Sequence, residues 1–184
     1  MVSNALPSTE SPSAAPSQSS PSPTNAGSDS QLLQVTLATF SLLIPANQLV
    51  EILTFPVGQV VPVFHLPPWI PGVYNWRGEI LWTMDLGHFL GASPWYQQTD
   101  YGAKHTVVIL DRPHSKQLRT EERSPLGLIV NQVDGMLTGD MTGLLGTATH
   151  PDRYPPTMGG FAQGYWSAEG YPVLDGEALL KAMP

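Results

Sequence analysis

Five histidines, one glycine-rich stretch and a few neighbouring carboxylates are the residues of this chain that could make or break bonds, and their spacing argues against it. His65, His88, His105, His114 and His150 are scattered, with no pair at i, i+4 and no H-E-x-x-H, so no metal site follows from spacing. Cysteine is absent, which removes thiolate sites, cysteine nucleophiles and disulfides. Gly139 to Gly146 lacks the Lys and Ser/Thr of a phosphate-binding loop and places Leu144-Leu145 where polar groups are wanted. No Gly-x-Ser-x-Gly elbow occurs. Glu121-Glu122 lies in a charged stretch where a raised pKa is not expected. Glu169, Asp175 and Glu177 read as turn and cap residues. One enzymatic arrangement, a small β-barrel hydrolase, would need two of His65, His88 and His105 to share a carboxylate in one pocket. No catalytic residue, cofactor or metal is expected.

A different group of residues is conspicuous. Arg77 is the first basic residue of the chain, and the next is Lys104. An isolated cation of this kind is not part of a general basic surface. It sits in Pro67-Pro68-Trp69-Ile70-Pro71-Gly72-Val73-Tyr74-Asn75-Trp76-Arg77-Gly78, followed by Glu79-Ile80-Leu81-Trp82-Thr83-Met84-Asp85-Leu86. Pro71-Gly72 suits a type II turn. Val73 to Trp76 is a short β-prone run that Arg77-Gly78 breaks. Glu79 to Met84 runs extended, with Ile80, Trp82 and Met84 on one face and Glu79, Leu81 and Thr83 on the other. Asp85 is placed to cap a short helix, Leu86 to Leu90, that Gly91 stops. Trp76 and Trp82 are expected in the core, and Trp69, in its proline loop, as an exposed anchor.

The elements around this stretch are short. Leu32 to Leu37, a turn at Ala38 to Ser41, and Leu42 to Ile44 make a first hairpin, ended by Pro45. Glu51 follows in a strand-like run, Leu49 to Ile52. Phe55 to Phe64 reads as a loop leading into short β structure. Thr106 to Leu110 and Leu126 to Val130 are buried strands around an exposed, charged loop from Asp111 to Ser124. From Leu137 the chain is Gly- and Thr-rich, then Pro-rich. Phe161 to Trp166 and Tyr171 to Leu174 flank a turn at Ala168 to Gly170. Asp175 caps a closing helix with Leu179 and Leu180 inward. Nine or ten short strands, two short helices and no βαβ alternation favour a mainly β barrel or sandwich, without a parallel sheet.

The order of residues from Pro67 to Leu86 resembles the CheW-like domain, the coupling-protein family of bacterial chemosensory arrays. That family carries Gly-Val-x-Asn-x-Arg-Gly and then an apolar strand ending in Asp-Leu, here Gly72-Val73-Tyr74-Asn75-Trp76-Arg77-Gly78 and Asp85-Leu86. Leu43-Ile44-Pro45 and Leu49-Val50-Glu51-Ile52 also fit its pattern, as do Val133-Asp134-Gly135-Met136 and the closing helix. The resemblance implies two small five-stranded SH3-like β-barrels sharing a hydrophobic core, with short helices. It also implies a non-catalytic adaptor. One barrel would meet the regulatory domain of a CheA-type histidine kinase, and a groove near the barrel junction would take the tip of a methyl-accepting receptor's cytoplasmic hairpin, in chemotaxis, phototaxis or pilus motility. Glu51, Trp69, Arg77 and Trp82 are the candidate partner contacts, and Gly72, Asn75, Gly78 and Asp85 hold the motif. Arg77 has two readings: a bridge between the lobes through backbone carbonyls and Glu51 or Asp85, or a guanidinium facing a partner. The sequence departs from the family at Trp82, where a proline is usual, and in its Thr-, Gly- and Pro-rich 138–160 region. Those departures open an alternative, an adaptor that binds a response regulator or motility protein through Trp82.

Bulk composition agrees with a binding module. The chain is 41% hydrophobic with a formal charge of −7, which argues against nucleic acid as the partner. No apolar run approaches the roughly 20 residues of a membrane span, and the start lacks the features of a signal peptide. A cytoplasmic location without direct membrane insertion is the expectation. Residues 1–30 hold ten Ser, five Pro and no aromatic residue, the composition of a disordered tail. The ordered domain is expected over 31–184.

Overall fold

Alternating apolar residues on short strands leave each strand with one face to bury, and this chain buries both by folding its strands into two sheets. The computed structural model describes Met1 and residues 29–99, 102–111, 125–146, 151–166 and 170–183. The Ser/Pro-rich tail up to residue 28, the charged loop from 112 to 124, the turn at Ala168-Glu169, and His114 and His150 lie outside the described residues.

Ten strands are described: β1 (Asp29–Leu37), β2 (Phe40–Pro45), β3 (Leu49–Pro56), β4 (Gly72–Trp76), β5 (Glu79–Asp85), β6 (Lys104–Leu110), β7 (Leu126–Val130), β8 (Gln132–Asp140), β9 (Ala162–Tyr165) and β10 (Pro172–Leu174). Two short α-helices, α1 (Leu86–Phe89) and α2 (Gly176–Lys181), follow β5 and β10. The first sheet has the order β8-β1-β2-β10-β9 and the second β3-β6-β7-β5-β4. The fold is mainly β, as expected. No described helix is long and apolar enough to cross a membrane.

The two sheets repeat one plan. In each, successive pairings run antiparallel, antiparallel, parallel, antiparallel. In each, the first strand of the order continues through a 3₁₀ turn and then bridges to the last. β3 passes through Val57–Gln59 to the bridge Val61↔Val73, and β8 passes through Met141–Gly143 to the bridge Leu145↔Tyr165. Each sheet is thereby closed into a small barrel. Behind the bridges, a Cβ at Gly72 would fall onto the carbonyl of Val61, and one at Gly164 would press on Leu144 and Leu145. In each barrel one strand runs into an aspartate that caps the following helix: Asp85 accepts from His88 N–H and Asp175 from Ala178 N–H. The backbone N–H groups of these aspartates donate to Trp69 and Phe161.

The cores follow from this closure. Leu32, Leu43 and Val173 fill the first barrel. Phe55, Leu81, Val107, Ile109 and Ile129 fill the second. The largest cluster lies between them, where Leu33, Val35, Leu42 and Ile44 meet Met84, Val108, Leu110, Leu126 and Leu128. A 19.9 kDa chain divided into two barrels has little interior in each, so most of its apolar burial comes from packing one barrel on the other.

Several sequence expectations change. The two parallel pairings, β2–β10 and β5–β7, arise because each barrel admits a strand that enters after a long excursion of chain rather than through a βαβ unit. Gly72 does not occupy a type II turn. It opens β4 at φ 151°, because the closing bridge brings the Val61 backbone against it. Phe55 and Pro56 belong to β3 rather than to a loop. β8 carries the Gly/Thr-rich chain on to Asp140, since β1 supplies its ladder. The first turn is two residues long, because Phe40 and Ser41 already pair with Leu37 and Thr36.

Candidate functional site

The motif around Arg77 is a hairpin with a two-residue turn. Trp76 pairs with Glu79, and Arg77 and Gly78 both take positive φ, 56° and 88°, as a type I′ turn requires. Positive φ costs a non-glycine residue energy, and part of the compensation is visible. The Asn75 side chain accepts the Gly78 N–H at 3.0 Å. Arg77 is thus fixed at the tip of the β4–β5 hairpin.

Its partner comes from the far end of the same sheet. Arg77 Nη2 donates to Glu51 Oε2 at 2.9 Å, and Trp76 Nε1 donates to the same oxygen at 3.0 Å. The guanidinium also lies over the Trp76 ring, 5.4 Å from its centroid. Because β3 and β4 are the two ends of the sheet order, these bonds cross the seam of the closed barrel. Further along the seam, Phe55 of β3 stacks on Tyr74 of β4 with ring centroids 3.9 Å apart. A bulge sets the aim of Glu51. The register passes from Leu49↔Leu110 to Glu51↔Ile109, leaving Val50 without an opposite residue. Leu49 packs toward the inter-barrel core, and simple alternation would turn Glu51 the same way. The extra residue instead puts Glu51 on the face of Ile109, which belongs to the second barrel's interior.

Glu51, Arg77 and Asn75 therefore come together. Both partners of the ion pair belong to the second barrel, so Arg77 does not bridge the lobes, and Asp85 is not its partner. The side chains are 28% and 71% exposed, which places the pair on the barrel rim. The sequence reading missed Trp76 as a donor to Glu51 and Val50 as the bulge. Both depend on pairing between β3 and segments far along the chain, which local spacing does not reveal.

The other candidates separate. Asp85 is buried, and its carboxylate accepts from His88 N–H and from Trp95 N–H at 2.9 Å. Burial raises its pKa despite these bonds, and it acts as a cap. Gly72 serves the barrel closure. Trp69 is half-buried rather than exposed, because it packs on the inter-barrel core and on the Phe89 ring at 5.7 Å. Trp82 is exposed rather than in the core. It shares a face with Ile80, while the alternating residues Leu81 and Thr83 are buried.

The histidines occupy three different settings. His65 stands exposed in a loop, His88 is on α1, and His105 is buried in the second barrel against Phe55 and Trp95. Desolvation lowers the His105 pKa to about 4. Among the described residues no group of His, Cys, Asp and Glu is arranged to hold a metal ion. At the β2–β3 crossover between the barrels a cleft of ≈ 570 Å³ is lined by uncharged groups, including Gln31, Asn47, Gln48, Met141 and Gln163.

The family model of the CheW-like domain matches residues 31–183. Among solved structures, the scaffolding protein TtCheW from Thermoanaerobacter tengcongensis is similar. The match has a TM-score of 0.57 and 16% sequence identity, and it covers 79% of this chain and 86% of that one. No curated protein matches the chain.

Proposed function

The chain belongs to the CheW-like domain family, and from that premise we propose that it is a non-catalytic scaffold coupling a chemoreceptor-type sensor to a CheA-type histidine kinase. The carrying observation is the Glu51–Arg77 pair on the rim of the second barrel. An exposed ion pair contributes roughly 0–1 kcal/mol to a fold. Both groups can exchange each other for a partner's charges at small cost to stability, while the type I′ turn and the bulge hold them in position. The uncharged cleft at the barrel crossover is the groove in which a receptor hairpin tip would lie, with the exposed edge of Trp69 as a further contact. Such a protein works in the cytoplasm, in chemotaxis or a related motility pathway, and uses no cofactor.

The test is retention of the full chain on two baits, the regulatory domain of a CheA-type kinase and a receptor cytoplasmic hairpin, with Glu51→Arg as the variant. Retention on both baits, and loss of at least one on substitution with circular dichroism unchanged, is the expected result. Folded protein held by neither bait would overturn the reading. A second reading rests on Trp82, which is exposed where the family pattern carries proline. In that reading the scaffold binds a response regulator or motility protein through the Trp82 face, and Glu51→Arg leaves that binding intact.

A further inference from the structure

The repeat between the barrels exposes one difference that points to a ligand. In the second barrel the closing bridge and the hairpin register place Val61, Val73 and Trp82 in one row across three paired segments, and directly paired residues share a face. Ile80 pairs with Asn75 in the neighbouring row. This face is bare: Val61 is 61% exposed, Ile80 70% and Trp82 39%, with Phe64 of the adjoining loop at 84%. In the first barrel the equivalent row is Leu145, Tyr165 and Pro172, and it is covered except at Leu145, which is 41% exposed. Tyr165 and Pro172 are buried. The ring of Tyr154 lies 6.1 Å from that of Tyr165, its hydroxyl donates to the Gly170 carbonyl at 3.0 Å, and Met158 beside it is fully buried. The cover comes from the chain itself, two 3₁₀ turns at Pro151–Arg153 and Pro156–Gly160. The corresponding connection in the second barrel, between Val61 and Trp69, is shorter and leaves its row open.

We propose that the Val61–Val73–Trp82 row docks a short proline-flanked segment of a partner protein, carrying an aromatic ring for Trp82 and Ile80 and a carboxylate for Arg77. The Tyr154 ring lies against Tyr165 of the equivalent row, and its segment continues as Pro155-Pro156, which shows what kind of segment this strand geometry accepts. Proline restricts the unbound segment and lowers the entropy lost on ordering, and an aromatic ring brings large apolar area with few rotors. The carboxylate follows from charge. Arg77 stands at the tip of the same hairpin with most of its side chain in solvent, and the N–H groups not bonded to Glu51 form a fork suited to a carboxylate. The inference deepens the Trp82 reading above and rests on it.

The test is selection of a random decapeptide display library on the full chain, counter-selected on the Ile80→Ser/Trp82→Ser variant. Both positions are exposed, so the variant is expected to unfold with the parent. Enriched peptides should carry an aromatic residue next to proline with an Asp or Glu nearby. Their affinity should fall about tenfold or more in the variant, as for a central aromatic contact, and severalfold in Arg77→Gln. Absence of enrichment, or peptides that bind the variant equally well, would overturn the proposal. So would a self-association, seen by sedimentation, that Ile80→Ser abolishes, because a second copy would then be the occupant. Running response-regulator and motility-protein baits against the same variant separates the two ideas. Loss of a bait without peptide enrichment leaves the Trp82 reading standing and removes only the peptide.

Discussion

The two barrels share strand order, pairing sense, closing bridge and helix cap, yet they seal their seams with different chemistry. The second is closed by Phe55 stacked on Tyr74 and, at its rim, by Glu51 held between Trp76 and Arg77. In the first, Trp166 lies directly over Gly139, at the positions that correspond to Tyr74 and Phe55. One large ring over a glycine does the work of two stacked rings. The residue corresponding to Glu51 is Gly135, which likewise follows a bulge residue, Asp134. A common backbone plan thus yields one apolar seam under a cover of its own chain, and one polar seam beside a bare face. Closure and partner contact are thus separable on a repeated fold: the backbone devices recur, while the side chains able to recognise something occur once.

The closing bridges are where substitution should affect the two barrels most. Gly72→Ala combines a positive φ with a Cβ on the Val61 carbonyl, and should cost about 3 kcal/mol or more. Gly164→Ala meets Leu144 Cβ at 2.9 Å and the Leu145 carbonyl at 3.0 Å, and should cost about 1–2 kcal/mol. Urea unfolding of the two variants measures the pair, and equal losses would refute the asymmetry.

Acid should separate the barrels next. His105 is buried neutral with its pKa lowered to about 4 from 6.5, so the unfolded chain takes the proton first. Stability is then full above pH 6.5 and falls by up to roughly 3 kcal/mol as pH drops to about 4. Asp85 works in the opposite sense. Its raised pKa means that the folded state takes up a proton before the unfolded one, in the window just above the ordinary carboxylate range. Hydrogen exchange should show β3 and β6 opening before β1 and β2 on acidification, and His105→Phe should remove most of that pH dependence.

The caps give a smaller contrast. Asp175→Ala should cost about 1 kcal/mol as a lost N-cap. Asp85→Ala should cost somewhat more, about 1–2 kcal/mol, because the Trp95 N–H loses its acceptor as well. Thermal midpoints of the two variants compare them. The smallest effect on stability belongs to Arg77→Gln, under about 1 kcal/mol, while its effect on partner retention should be the largest of the set. A large loss of stability instead would make the pair part of the fold's framework.

Much of this plan is legible in the sequence because it is local. Asp85 and Asp175 announce caps, Arg77-Gly78 between two β-prone runs announces a tight hairpin, and Leu126 to Val130 announces a buried strand. What stayed illegible depends on residues meeting across the seams. Alternation along β5 separates Ile80 and Trp82 from Leu81 and Thr83, but parity alone does not say which set faces in. The answer comes from β3, which closes the barrel on the Leu81 side. The Val50 bulge is invisible for the same reason, since a bulge exists only relative to the register of β6. Trp69 looked like a surface anchor because prolines surround it, and only the arrival of α1 and Phe89 buries it.

The chain visits its barrels unequally. The second is made from one unbroken stretch, β3 to β7, whereas the first joins β1 and β2 to β8, β9 and β10 from the opposite end of the protein. During synthesis the second barrel can pair all its strands while the ribosome is still adding β8, at low loop-closure entropy. β1 and β2 must meanwhile wait as a lone hairpin, too small to hold itself together in water. The hairpin's best temporary neighbour is the apolar outer face of the second barrel, the one it keeps in the finished protein. The order in which the chain is made therefore favours assembling the shared core before the first barrel exists, and a ribosome stalled just after β7 would display that half-built core.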